Sequence, residues 1–504
     1  MPIQDKSSQE DEDVEEGNAS AHSMRRQFSV WSLAALCLCL MATWEALSTV
    51  VTTALANGGA PCFFYNYILS FLASVAVASS LAEIASSYPT AGGQYHWVAL
   101  LAPSRTSALA SWFTGWISCG GQIVLTASAA FAAGLEMQAL ITANHPDSYL
   151  PQRWQGMLFY WLVLVYAMVV NMWGSKILPH TNIVSGVIHI VAFIAIVVVL
   201  GVMAEKNDSY FVFAQVTNTS GWKNDGISWL VGLLSTVYPF LGYDSATHLA
   251  EEMKHPARDV PLAMVLSVVI NGIMGLGYCV ILLYSMTNLD ELLASPTTFP
   301  FIQLLLNVTS SKVGATLLTI IWASIPVAAT VAGTTSTSRT VWAFARDDAI
   351  FCSEYFSHID TRLAVPARVV VLITILEMLL GLLYLASSAS FNAVLSMAIL
   401  GMYASYILPI IYMLLNGRKE GVRRPGPFSL GRIGGITINL IATIWLAFAM
   451  IFSMFPNYQP VTPQNMNYSV VVMGAWCLLG GVYYFGFGRG KYSGPAIEVL
   501  EMVE

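Results

Sequence analysis

Apolar positions in this chain come in long unbroken runs. They show neither the alternation of a half-buried strand nor the narrow stripe of a surface helix. Twelve runs are long enough to cross a bilayer, at about 29–55, 62–84, 108–135, 154–173, 182–204, 227–249, 262–286, 313–337, 366–386, 391–415, 434–455 and 469–487. In lipid, every backbone N–H and C=O must find a partner within its own helix or in a closed barrel. Runs without period-two alternation argue against the barrel. The expectation is an all-α integral membrane protein with twelve transmembrane helices spanning residues 28–487. Residues 1–27 are polar and acidic, the pattern of a disordered tail, and 488–504 read as a second short tail. No basic start leads into a short apolar run with a cleavage site, so the first run reads as a retained span.

Composition fits the same class. Of 504 residues, 56% are hydrophobic and 10% charged, against roughly 25% charged in a soluble domain. The net charge is −7 and no basic stripe is present, which argues against nucleic acid as a partner. Cys37, Cys39, Cys62, Cys119, Cys279, Cys352 and Cys477 show no metal-ligand spacing and read mostly as packing residues. No cofactor or metal motif and no set of catalytic residues stands out, and no Walker-type nucleotide loop is present.

Charge sets an orientation. With the N-terminus in the cytoplasm, 18 of the 22 Lys and Arg fall on inner segments, leaving Arg153, Lys206, Lys223 and Lys312 outside. Both termini are then cytoplasmic. Glycosylation acceptor patterns at Asn207, Asn218, Asn307 and Asn467 fall outside on this topology, while Asn18 falls in the inner tail.

Two spans carry interruptions at corresponding depths, the pattern that marks a transport site in repeat-built membrane proteins. The first holds Thr43-Trp44-Glu45-Ala46 about fifteen residues in, and the sixth holds Pro239-Phe240-Leu241-Gly242-Tyr243-Asp244. Pro239 removes an amide donor and Gly242 loosens the helix. Glu45 is the sharpest residue, since a carboxylate at mid-bilayer costs on the order of 3 kcal/mol. Three roles remain open for it: counter-ion for a cationic substrate, protonated hydrogen-bonding group, or proton carrier. Trp44 would add a cation–π face. His189 in the fifth span is either a helix–helix hydrogen bonder or a proton-coupling group. Asp244 and His248, four apart, read as a pair that caps the helix. Glu377 reads as a seam residue, and Gln122, Tyr403 and Tyr406 as weaker cavity-lining candidates.

The segment SLAEIASSYPTAGGQ at 80–94, continued by YHWVALLAP, resembles the AE-x₅-YP-x-AGGQY signature of the amino acid–polyamine–organocation transporter superfamily. FLGYDSATHLAEEMKHPARDVPLAM at 240–264 resembles that superfamily's sixth-span exit and following loop. With SWFTGWISCGGQ at 111–122, the chain is similar to the fungal amino acid/choline branch, which includes GABA and choline permeases. The resemblance covers about residues 28–487 and implies a LeuT-like fold: two inverted five-helix repeats (about 28–204 and 227–415) plus two C-terminal helices (434–487). It implies a substrate site between the breaks, with Thr43, Trp44, Glu45 and Ala46 opposite Phe240, Leu241, Gly242 and Tyr243. It also places His189 on or beside a lysine common in proton-linked members, and it gives the loop 251–259 a part in gating.

One departure shapes the substrate expectation. Where many amino acid carriers have a Gly-Ser-Gly-like stretch whose amides hold a carboxylate, this chain has Trp44-Glu45-Ala46. Bulk and negative charge there favour a cation over a zwitterion. The expected function is a secondary transporter of a small amine (amino acid, choline, GABA, polyamine or alkaloid), with a proton as co-substrate, in the plasma membrane. The alternatives are a carrier tied to a fungal swainsonine-like alkaloid pathway, a non-transporting nutrient sensor and, least of all, a membrane-embedded enzyme.

Overall fold

The computed structural model describes residue 24, residues 26–295, 297, 299–387, 395–419 and 425–495. Most of the expected tail 1–27 with Asn18, the start of the tenth run at 391–394, and Arg423 and Arg424 lie outside these residues. Among the described residues the chain is helical throughout, and its one β-bridge joins Phe28 to Met253.

Among the described residues eleven apolar segments are long enough to cross a membrane, and the first, Val30–Ser87, has 58 residues. Straight, it would reach about 87 Å at 1.5 Å per residue, far beyond a core of about 30 Å. It is two spans. The chain turns at Gly58 and Gly59, and Gly59 has φ +76°, a left-handed conformation that suits glycine. The contacts prove the reversal. Gln27 N–H donates to Glu252 O (3.0 Å) and Ser86 Oγ donates to Ala257 O (2.7 Å), so residues 27 and 86 share one end of the bundle. Residues 56 and 57 lie at the other end, where Thr219 N–H donates to Ala56 O (2.8 Å) and Asn57 Nδ2 to Asn457 O (3.2 Å).

The remaining spans are Ser107–Asn144, Arg153–Trp173, Leu178–Met203, Asp225–His248, Pro256–Ser285, Lys312–Arg346, Ala367–Ala386, Met397–Gly417, Arg432–Ser453 and Ser469–Gly488. Twelve crossings result. The third and eighth spans extend nine residues beyond the expected ends at 135 and 337, bringing Glu136, Arg339 and Arg346 into continuous helix. Five crossings separate the start of the first span from that of the sixth, so these two run in opposite directions. The twelfth span joins the third through Trp116 and Trp476. Their rings stack at 4.5 Å, and each indole N–H donates to the other residue's carbonyl at 2.9 Å.

Cys37, Cys39, Cys62, Cys119 and Cys279 are buried, as expected of packing residues, whereas Cys352 is exposed and Cys477 half-buried. The acceptor asparagines Asn207, Asn218 and Asn467 are half-buried, each with Nδ2 donating to a backbone carbonyl, and Asn307 is exposed.

The end that holds the N-terminal residues is tied by charge. Arg418 pairs with Glu83, Arg339 Nε with Glu252 (2.8 Å), and Arg346 forks both terminal nitrogens onto Glu251 (2.9 and 3.2 Å). The Tyr88–Gln94 turn wraps the exit of the sixth span: Ala91 N–H donates to Glu251, and Ala91 O accepts from His248 Nδ1. On the short helix that follows, Gln94–Leu101, His96 is buried and neither ring nitrogen has a hydrogen-bond partner. Burial, helped by the Arg346 charge, pushes its pKa down to about 3.

His96 therefore binds a proton more readily in the unfolded chain than in the folded one. Its contribution is fully present above the usual histidine range near 6.5 and is lost as pH falls toward 3, by up to about 1.4 kcal/mol per unit. Thermal unfolding in detergent from pH 7 to 4 should show falling stability, with a shallower slope in His96→Gln.

Candidate functional site

The break in the first span is a single residue. Ala42 has φ 41° and ψ 46°, the left-handed region that costs an L-residue roughly 1–2 kcal/mol. Helix resumes at Thr43. The interruption expected over Thr43–Ala46 is thus shorter and lies just ahead of it. The sixth span comes apart over a longer stretch. Tyr238–Phe240 form a tight 3₁₀ turn, Leu241 is extended, Gly242 has φ +102°, and helix returns at Ser245. Pro239, which has no N–H, sits inside the turn.

Each break supplies hydrogen bonds to the other. Thr43 Oγ1 donates to the Pro239 carbonyl at 2.7 Å. Cys37 Sγ contacts Ser245 Oγ at 3.2 Å. Asn271 of the seventh span donates through Nδ2 to Leu38 O at 3.2 Å.

Glu45 lies one turn past the break, 1% exposed, and points inward rather than at lipid. Its Oε1 is 2.7 Å from His189 Nδ1, and His189 Nε2 is 3.0 Å from Asn271 Oδ1. The protonation logic follows from the far end. A backbone carbonyl only accepts, so Leu38 O fixes the Asn271 amide with Nδ2 toward it. Asn271 Oδ1 must then accept from His189 Nε2–H. That leaves one proton between Nδ1 and Oε1. Either imidazolium faces carboxylate, or neutral imidazole faces carboxylic acid. Both forms are neutral as a pair. Without that proton, lone pair would face lone pair at 2.7 Å.

Glu45 Oε2 has no hydrogen-bond partner, and Glu45 lines a cavity of about 80 Å³, room for several water molecules. Met41, Ala42, Ala46 and Thr49 from the first span line it, with Tyr238 and Leu241 from the sixth, Leu125 and Glu136 from the third, and Pro326 and Ala329 from the eighth. No Lys, Arg or His is among its lining residues. Leu40 and Leu125 also border a second space of about 10 Å³ among Gln122, Gly242 and Asp244, room for about one water and too small for a solute. The ion pairs of Arg339 and Arg346 lie beyond it. The cavity is therefore shut off from the N-terminal end.

The expected site residues separate into groups. Glu45, Ala46 and Leu241 reach the cavity. Thr43 holds the two breaks together. Trp44 turns the other way, edge-on to Tyr278 at 5.2 Å and Phe193 at 6.1 Å, and 5.9 Å from the His189 ring. Phe240 stacks on Phe71 at 6.0 Å. Gly242 lies against Leu40, and Tyr243 packs 5.4 Å from Tyr406. Gln122 belongs to a polar knot on the N-terminal side, 3.0 Å from His248 Nε2 and accepting from Thr340. In that knot Asp244 accepts from Gln94 (2.6 Å) and Tyr406 (2.5 Å), with His248 at 3.5 Å. Sequence reading missed Glu136, one residue past the expected end of the third span at 135, and Tyr238, whose hydroxyl lies 2.8 Å from Ser128 Oγ.

The family model for amino acid permeases matches residues 28–476. A choline transporter of Saccharomyces cerevisiae is 32% identical over 471 residues, 93% of this chain and 83% of its own. A putative amino acid/polyamine transporter of Macrophomina phaseolina is 32% identical over 438 residues, 85% of this chain and 95% of its own. A GABA-specific permease of Saccharomyces cerevisiae is 27% identical over 490 residues, 95% and 84% respectively.

Replacing Asn271 by Ala removes the acceptor of His189 Nε2–H and the donor to Leu38 O together. Stranding buried groups costs about 1–3 kcal/mol each. Thermal unfolding in detergent should show Asn271→Ala clearly destabilised, and Asn271→Gln less so.

Proposed function

The chain belongs to the amino acid permease family, and we propose that it moves a small cationic amine by alternating access with a proton as co-substrate. The observation that carries the reading is Glu45, whose Oε2 is uncommitted, lining a cavity that has carboxyl groups but no basic side chain. A zwitterion's carboxylate would find no cation to pair with there. Glu45 also occupies the first turn of the outer half-helix, the positive end of its dipole, where a substrate carboxylate would otherwise sit. Choline and polyamines, which appear in the relatives' names, share a cationic nitrogen.

Proton coupling rests on the Glu45–His189 pair. It holds one transferable proton at the cavity wall and is fixed from behind by Asn271. Movement of the first and sixth spans relative to the fifth and seventh would pull Glu45 from His189 and change where that proton sits. The bias of Lys and Arg supports cytoplasmic termini, and the plasma membrane is the membrane we assign. The closed end then faces the cytoplasm, and the cavity lies on the outer side of the breaks.

Uptake competition in whole cells tests the substrate class. Choline, polyamines and cyclic amines should compete, and GABA weakly. Best competition by GABA or a neutral amino acid would overturn the cationic assignment. Glu45→Gln should cut apparent affinity about 30-fold or more, the usual range for losing one partner of a buried charge pair. Wild-type uptake should rise with external acidity. His189→Gln should lose that rise, and an unchanged pH profile would remove His189 from the coupling.

A further inference from the structure

The cavity wall on the third span carries a charge that the reading above leaves without a task. Glu136 is 1% exposed, borders the same cavity as Glu45, and has no hydrogen-bond partner at either carboxyl oxygen. Other buried carboxylates of the bundle are met by donors: Asp244 by Gln94 and Tyr406, Glu252 by Arg339. Glu377 is bare as well, but it does not line this cavity.

We propose that Glu136 is the carboxylate that binds the ammonium group of the transported amine, taking it in exchange for a proton. This rests on the amine-transport reading and adds the group that holds the cargo. Charge counting leads to it. Glu45 and His189 with their shared proton are neutral as a pair, so by themselves they leave the cavity no net charge for a cation. Ionised Glu136 supplies one negative charge. With the cavity empty, that charge would stand unpaired against Leu125, Ala129, Ala132, Pro326 and Ala329, a costly arrangement. The empty site therefore keeps Glu136 protonated. As the amine enters, the Glu136 O–H bond breaks and its proton leaves through the cavity water. The ammonium takes its place, and the net charge of the closed site is unchanged.

Few other groups compete for this role. The first span presents Glu45 to the cavity, and the sixth presents Tyr238, whose hydroxyl is bonded to Ser128 of the third span itself. The eighth span presents Pro326 and Ala329, which do not titrate. Tyr160 of the fourth span turns away, donating to the Glu377 carbonyl at 2.6 Å.

The exchange predicts that amine affinity rises with pH, opposite in sign to the acid stimulation of transport assigned to the Glu45–His189 pair. Equilibrium binding of radiolabelled choline and putrescine to the purified full-length protein, from pH 5 to 8, reads it directly. The dissociation constant should fall by up to tenfold per pH unit in the wild type and in His189→Gln. Glu136→Gln should bind about 30-fold or more weakly and show no slope, while Glu136→Asp keeps the slope. Wild-type affinity and slope in Glu136→Gln would overturn the proposal. So would a pH-independent wild type, a result that stands even if Glu136→Gln fails to fold. A slope lost in His189→Gln but kept in Glu136→Gln would move the exchange to the Glu45 pair. If neither amine binds the wild type, the cationic-amine reading fails first.

Discussion

A carboxylate at the middle of a membrane must be compensated, and the 2.7 Å contact between Glu45 and His189 is the compensation on which the site depends. It requires Glu45 to face inward at a fixed height. That in turn requires the first span to change course at Ala42, since unbroken winding from Val30 would carry every later side chain to a different face. The contact also requires a fixed imidazole. Asn271 provides that because its own amide is held by a carbonyl at the end of the first half-helix, Leu38 O. Break, acid, base and orienting amide therefore form one closed set. Removing any member strands a polar group where water is scarce.

The sixth span completes this arrangement from the other direction. Its unwound stretch lends a carbonyl to Thr43 and a wall to the cavity. Its far end enters a second polar system in which Asp244, His248, Gln94, Gln122 and Tyr406 are linked by hydrogen bonds. The two systems differ in kind. The knot on the N-terminal side is cross-linked by hydrogen bonds, and the arginine–glutamate pairs beyond it add charge-assisted contacts that resist separation. The cavity side keeps unpaired carboxyl oxygens and open volume. An end held by ion pairs and a middle with open volume are what an access gate and a binding site each need. In a permease, the state described here is closed toward the end that carries the N-terminal residues.

Much of this was legible in the sequence. Long apolar runs mark the spans because lipid tolerates little else, and Pro239 with Gly242 marks the sixth-span break because both residues weaken a helix. Glu45 was legible because charge at that depth is expensive. Its partner was not, because His189 lies 144 positions away and no local spacing joins them. Trp44 and Glu45 are adjacent and so about 100° apart on a helix, and only tertiary packing decides which one meets the cavity. The i,i+4 spacing of Asp244 and His248 suggested a mutual pair, yet closer partners come from other segments. Glu136 was missed for a plain physical reason. It stands one residue beyond the expected end of the third span at 135, whereas the helix continues to Asn144 and buries it.

The central claim is that Glu45 and His189 share one proton that moves with the transported amine. The direct test is proton flux in proteoliposomes holding the purified protein and an internal pH-sensitive dye, with membrane potential clamped. Per choline or putrescine carried inward, the lumen should gain one proton more with the wild type than with His189→Gln protein that still binds the amine, whatever Glu136 exchanges. A proton count per amine that His189→Gln leaves unchanged would contradict the account.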